Sequence, residues 1–381
     1  MRGITPRWGA PVAALLGSAL LFAASAPAGA ATSWRQIPAP DAPGASLNEL
    51  NAVSAVSPSE AWAVGDSRGS SGIRNALAEH WTAARGWQLS TTARLSSTSD
   101  AILNGVAGVS ATNAWAAGRV FTTVEHGLIE HWNGTAWTVA ARPASEPPGG
   151  ELHAISASSA ADVWAVGLAQ NPDTLVRGAL IEHFNGTAWS VVPSPDLGVD
   201  AFLSGVRAVA PNDAWAVGRV NEAALVEHWD GTAWTRVAIA PPTGESGLSG
   251  VTATAANDVW VVGSQRSGTH TLAEHWNGTA WSVIPTQEPA GLNGALVSVV
   301  PRAANDVWAV GAGFQISVFP SPLIEHWNGT AWTIVASPNP SSTFNSLAGV
   351  TTSAGGPLLA VGQSDTSDGS GVTHTFAIEA D

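Results

Sequence analysis

Beyond its first thirty residues, this chain gathers its apolar residues in short runs rather than in long amphipathic stretches. Runs at 103–109, 114–118, 127–132 and 135–140 are rich in Val, Ile, Leu, Ala, Gly, Thr and Trp, with turn residues such as Ser, Asn and Gly between them. Small, β-branched and aromatic residues bounded by turn residues predict four short strands. The group of four then repeats. A Trp-Ala-Val-Gly motif or a variant of it places its glycine at Gly65, Gly118, Gly167, Gly218, Gly263, Gly311 and Gly362, in steps of 53, 49, 51, 45, 48 and 51 residues. Seven copies of four strands predict an all-β fold, a seven-bladed propeller of four-stranded antiparallel blades spanning 31–381.

Spacing within the copies separates a constant rim from a variable one. From the first-strand aliphatic to the second-strand Trp the step is nine residues, as in Val106 to Trp115, and the seventh copy keeps it with Leu359 in place of Trp. From the third-strand Glu to the fourth-strand Trp the step is seven, as in Glu130 to Trp137, except for eight from Glu79 to Trp87. On the opposite rim, loops range from nine residues between Gly218 and Glu227 to seventeen between Gly362 and Glu379. Variable loops on a rigid scaffold are where recognition usually sits.

Asn133-Gly134 reads as a two-residue hairpin turn with positive φ at both positions, which would set Trp132 against Thr135 and Glu130 against Trp137. Glu and both Trp would then share one face of the blade, with His131 on the other. The same residues spell a glycosylation acceptor at Asn133, Asn185, Asn277 and Asn328, but Asp230 keeps the turn and loses the acceptor, so the turn is the purpose. The seventh copy supplies strands at 344–351, 358–362 and 372–379 and no fourth. The missing strand is expected from the other end, where TSWRQIPAP at Thr32 matches TAWTIVASP at Thr330. Such pairing would close the ring and remove its exposed edges.

Composition narrows the setting. Arg2 and Arg7 precede an apolar run of about 15 residues, Ala10 to Ala24, followed by small residues at Ala28 and Ala30. This predicts a signal peptide over 1–30; a bilayer span needs roughly 20 apolar residues. With no Cys and no hydrophobic tail, the expected product is secreted, extracellular, without disulfides or a lipid anchor, and a monomer. The net charge of −14, with no Lys among the 15 basic residues, argues against nucleic-acid and membrane partners.

The unit LNGVAGVSATNAWAAG…LIEHWNGTAWTV resembles the repeat of many uncharacterised exported bacterial proteins, and the likeness runs from Thr32 to Asp381. A blade ending in an aromatic, a turn Gly and a Trp is also similar to the Photorhabdus-type propeller lectins and the tachylectins, a resemblance that implies sugar binding by the blades. Kelch, sialidase Asp-box and WD40 signatures are absent.

The lectin resemblance and the repetition direct attention to Glu130, His131 and Trp132; Glu182 and His183; Glu227, His228 and Trp229; Glu274, His275 and Trp276; and Glu325, His326 and Trp327. Glu79 and Glu379 occupy the same position in the outer copies, Glu379 being followed by Ala380 instead of His. In the structural reading the Glu accepts bonds from an indole N–H or from the backbone of the adjoining blade. In the functional reading, Trp stacks on a sugar ring while Glu and His bond its hydroxyls. No metal is expected, because blades about 10 Å apart cannot bring equivalent His residues within about 2 Å of one ion. No cofactor motif, thiol, nucleophile elbow or phosphate loop occurs. Loop carboxylates such as Asp173, Asp196, Asp200, Glu222 and Glu245 could pair across the variable rim in a polysaccharide-active hydrolase or lyase. The expected function is a non-enzymatic binding scaffold for an extracellular glycan or cell-wall polymer, the alternative being a propeller that binds a secreted or surface protein through its variable rim.

Overall fold

Four strands of three to thirteen residues cannot bury a core alone, so each copy must stack against its neighbours. In the computed structural model, which describes residues 33–381 apart from 97, 172–173, 196, 240–243, 267, 316–317 and 367–369, each copy is a four-stranded antiparallel sheet. The expected signal segment, Asp173 and Asp196 lie outside the described residues. The second blade sets the pattern: Asp100–Ser110 lines the centre, followed outward by Asn113–Phe121, Glu125–Trp132 and the short outer strand Trp137–Val139. Blades one to six use consecutive strands.

The seventh blade is made from both ends of the ring. Asn345–Thr351, Leu358–Asp365 and Thr373–Ala380 are completed by Arg35–Ile37, with Arg35 opposite Glu379 and Ile37 opposite Ala377. Closure is therefore as the matching termini predict. Asp41 reinforces it by accepting from the backbone N–H of Thr375 at 2.9 Å and pairing with His374.

The repeated glycine has a steric origin. A Cβ on Gly65, Gly118, Gly167, Gly218, Gly263, Gly311 or Gly362 would stand 1.9–2.0 Å from a carbonyl oxygen of the innermost strand, where only a hydrogen fits. Directly after that carbonyl comes a buried Leu and then a bulge, as at Leu103/Gly105 and Leu152/Ala154. The bulged residues line a central channel of about 280 Å³. Three of them tie neighbouring blades: Asn51 Nδ2 and Asn104 Nδ2 donate to the carbonyls of Leu103 and Leu152 at 3.0 and 2.9 Å, and His153 Nδ1 to that of Leu203 at 2.8 Å. The channel is narrow and the core lies between blades, as where Trp164, Val166 and Ile181 of the third pack on Leu203, Leu225 and Trp234 of the fourth.

The hairpin differs from the two-residue expectation. Trp132 pairs with Trp137, His131 with Thr138 and Glu130 with Val139, so the loop is four residues long. Asn133 Oδ1 accepts from the N–H groups of Thr135 and Ala136, both at 3.0 Å, and only Gly134 has positive φ, at 92°. Asp230 Oδ1 does the same at 2.8 and 3.0 Å. Asn or Asp is thus required for an acceptor oxygen, not for left-handed backbone. Because the register moves by two, Glu130 and both Trp still share a face.

Ring closure places the N-terminal strand's Trp34 against Trp308 of the sixth blade, edge to face at 5.8 Å. Replacing Trp34 with Ala is expected to cost about 3–5 kcal/mol, read as a lowered urea midpoint, whereas Trp34→Phe should recover most of it.

Candidate functional site

Each second-strand Trp is held on both sides. Within its own blade, the third-strand His stacks on it: Trp115–His131 at 4.1 Å, Trp164–His183 at 4.0 Å, Trp215–His228 at 4.2 Å, Trp260–His275 at 4.4 Å and Trp308–His326 at 4.1 Å. The His ring then donates through Nε2 to a side chain two residues before that Trp. The acceptors are Asn113 (3.0 Å), Asp162 (2.7 Å), Asp213 (2.8 Å), Asp258 (2.6 Å) and Asp306 (2.9 Å), and Glu60 takes His80 at 2.8 Å in the first blade. These acceptors were not singled out from sequence. Their signal is in the chain: the seventh copy loses all three partners together, with Pro357, Leu359 and Ala380 in their places.

Toward the next blade, the same Trp meets the third- and fourth-strand aromatics. Trp62 lies 4.9 Å from Trp132 and 5.1 Å, edge-on, from Trp137; Trp164 repeats this with Trp229 and Trp234, and Trp260 with Trp327 and Trp332. Trp215 packs on Trp276 and Trp281, and Trp115 on Phe184 and Trp189. Trp132 and Trp229 also donate through Nε1 to the carbonyls of Ala111 and Pro211, both at 3.1 Å. The repeated His and Trp are thereby engaged inside and between blades.

The glutamates are buried. Glu79, Glu130, Glu182, Glu227, Glu274 and Glu325 are at most 1% exposed, beneath the segment that leads in from the preceding blade. That segment bonds three of them: Ala93 N–H to Glu130 at 3.0 Å, Ser194 Oγ to Glu227 at 2.9 Å and Gln287 N–H to Glu325 at 3.2 Å. Backbone of the adjoining segment is the partner that the structural reading expects; the indole N–H groups are not. Burial pushes the carboxyls up, to about 8 for Glu79, Glu182 and Glu325 and about 7 for Glu130 and Glu227. They offer no open oxygen to a ligand. Glu379 instead pairs with Arg35.

The structure brings other groups together on the variable rim. Leu175 projects from the loop between the second and third strands of the third blade, 66% exposed and at φ 60°. A non-glycine side chain in that region is strained by about 1–3 kcal/mol. Hydrogen bonds hold it there: Leu175 N–H to Asn171 carbonyl at 2.8 Å, Asn171 N–H to Val176 carbonyl at 2.9 Å, and Gln170 Nε2 to Leu175 carbonyl at 3.1 Å. Val176, Pro193, Pro195, Leu197 and Val199 line a groove of about 580 Å³ beside it. Adjacent is a cavity of about 560 Å³ with Arg177, Phe202, Arg219, Asp200 and Glu222 in its wall. Of the sequence-proposed carboxylates, Asp200 accepts the Arg177 N–H at 2.8 Å and Glu245 faces Arg219 at 3.9 Å. Among the described residues, no three His, Asp or Glu side chains converge as metal ligands.

No protein-family model matches the sequence, and no curated protein matches it. The resemblance to exported bacterial repeat proteins therefore rests on the repeat residues themselves. By fold, the chain is similar to YCF48 bound to D1 peptide, with a TM-score of 0.57 and 15% identity over 92% of this chain and 94% of that one. It is likewise similar to U3-55K, with a TM-score of 0.58 and 9% identity over 91% and 98%. The fucose-specific lectin from Aleuria aurantia gives a TM-score of 0.49 and 13% identity over 78% and 97%. At these identities the likeness is one of fold. The chain is a seven-bladed β-propeller.

Carboxyls raised above their unfolded value bind protons in the folded state, so their stabilising share is full below pH about 4.5 and is lost as pH rises toward 8. Urea midpoints measured from pH 5 to 8 should therefore fall less for Glu79→Gln than for the parent. At pH 8 the variant should be the more stable by at least about 1 kcal/mol; parallel curves would show Glu79 ionised throughout.

Proposed function

We propose that the protein is exported after loss of residues 1–30 and acts as a non-enzymatic ring that binds a protein partner across its variable rim. The signal-like N-terminus supports the first part. The second rests on one observation: of ten large apolar side chains left exposed among the described residues, six stand on that rim, namely Phe121, Val124, Leu175, Val176, Val199 and Phe319. Exposed apolar residues beside Arg177 and Arg219 match the composition of protein interfaces. A strained but fully hydrogen-bonded Leu175 is a pre-built anchor, which lowers the entropy lost on binding.

Sugar recognition, the first expectation from sequence, needs flat aromatic faces beside polar groups. The described tryptophans all lie on blade strands or, for Trp34, next to one, and none is on the variable rim. The partner segment that suits the groove between Leu175 and Leu197 is apolar and extended, with a flanking charge to meet Arg177 or Glu222.

Displayed random peptides and a glycan array, each probed with the same protein, separate the readings. Apolar peptides should bind one per chain and lose at least about tenfold in affinity in Leu175→Gly, a change that also relieves the φ strain and so leaves the melting temperature equal or higher. Glycan hits at several sites per chain, removed by Trp132→Ala or Trp229→Ala in a folded protein, would overturn the proposal in favour of a lectin. Peptide binding indifferent to Leu175 would overturn its placement.

A further inference from the structure

Three departures from the repeat converge on one seam, between the seventh and first blades on the constant rim. The seventh blade has Pro357, Leu359 and Ala380 where the others carry an acceptor, a Trp and a His. The first blade's outer hairpin pairs Thr82 with Gly86 and is one residue longer than the Asn-Gly-Thr hairpins, the extra length bringing Arg85. In the sixth blade the second bulge holds Arg302, where blades one to five hold Val56, Val109, Ser158, Val209 and Thr254. Of these residues Pro357, Arg85 and Arg302 line a cavity of about 610 Å³, with Trp81, Trp87 and Pro58 also in its wall.

Charge decides what fits. Of the two acids of the cavity, Glu379 pairs with Arg35, while Asp381 meets Arg302 through its backbone carbonyl, which accepts from Arg302 Nη1 at 3.3 Å. The Arg85 guanidinium, in the wall of this cavity, has no partner among the described residues. An unpaired guanidinium above an apolar floor is a receptor for a carboxylate on an apolar body. We propose that this seam is a binding site, one per chain, for a small organic carboxylate, with the carboxylate on Arg85 and Arg302 and the body against Pro58, Pro357 and the edges of Trp81 and Trp87. The volume lies within the range of small-ligand sites. The site is separate from the variable rim and independent of any partner there.

Calorimetry would use hippurate and galacturonate, each against its neutral counterpart, hippurate methyl ester and galactose. The expected result is one site per chain for at least one carboxylate, tighter than its neutral counterpart; hippurate would mark an aromatic acid as the source and galacturonate an acidic sugar. Arg85→Ala, on an exposed loop, and Arg302→Gln should each weaken it about tenfold. The combined change Pro357→Asp, Leu359→Trp and Ala380→His rebuilds the set found in the other blades and should abolish binding. No preference for either carboxylate over its neutral form, or binding that survives Arg85→Ala, would overturn the proposal whether or not the combined variant folds.

Discussion

One indole in each of the first six blades carries the architecture. The second-strand Trp is clasped by its own blade's His from one side and by the aromatics of the next blade from the other, so the same ring transmits both the shape of a blade and its distance from its neighbour. Aromatic pairs of this kind add about 0.5–1.5 kcal/mol beyond the area they bury, and here they recur at seam after seam. The acceptor that holds each His fixes its ring plane parallel to the Trp, as in the 27° between Trp164 and His183. Without disulfides or a central core, stability is distributed along these seams.

Much of this was legible because the repeat shows which intervals are fixed. Strand number, blade number, the constant and variable rims and the closing strand all follow from distances between Gly, Trp and Glu. The turn at Asn133 was misread because an Asn-Gly dipeptide suits two turns, and only the pairing of Trp132 with Trp137 separates them. The acceptors Asp162, Asp213, Asp258 and Asp306 were legible in principle, since each precedes a Trp by two residues, but their meaning needed the His that folding brings beside them.

The candidate site was less legible for a physical reason. Repetition reports what every blade needs, whereas a binding site is built from what only one or two blades have. Glu130 and its equivalents were conspicuous in sequence and prove to be buried pegs beneath the incoming segments. Leu175, Arg85 and Arg302 occur once each, and their interest lies in what surrounds them: a strained loop for Leu175, and for the two arginines a seam that lacks the Trp and His of the other blades.

The seventh blade also orders events in time. Asp41 and Thr375 are 334 residues apart in the chain, and Arg35–Ile37 can pair only with a strand that ends at Ala380. Six blades contain all of their own strands and can form in turn, while the seventh needs both Arg35–Ile37 and Thr373–Ala380 and bears the entropy of closing the long loop between them. Until that moment the ring is an open arc with an unpaired edge at Thr373–Ala380, a template for the same short strand of a second chain. Closure is therefore what separates a solitary ring from strand-exchanged pairs at high concentration.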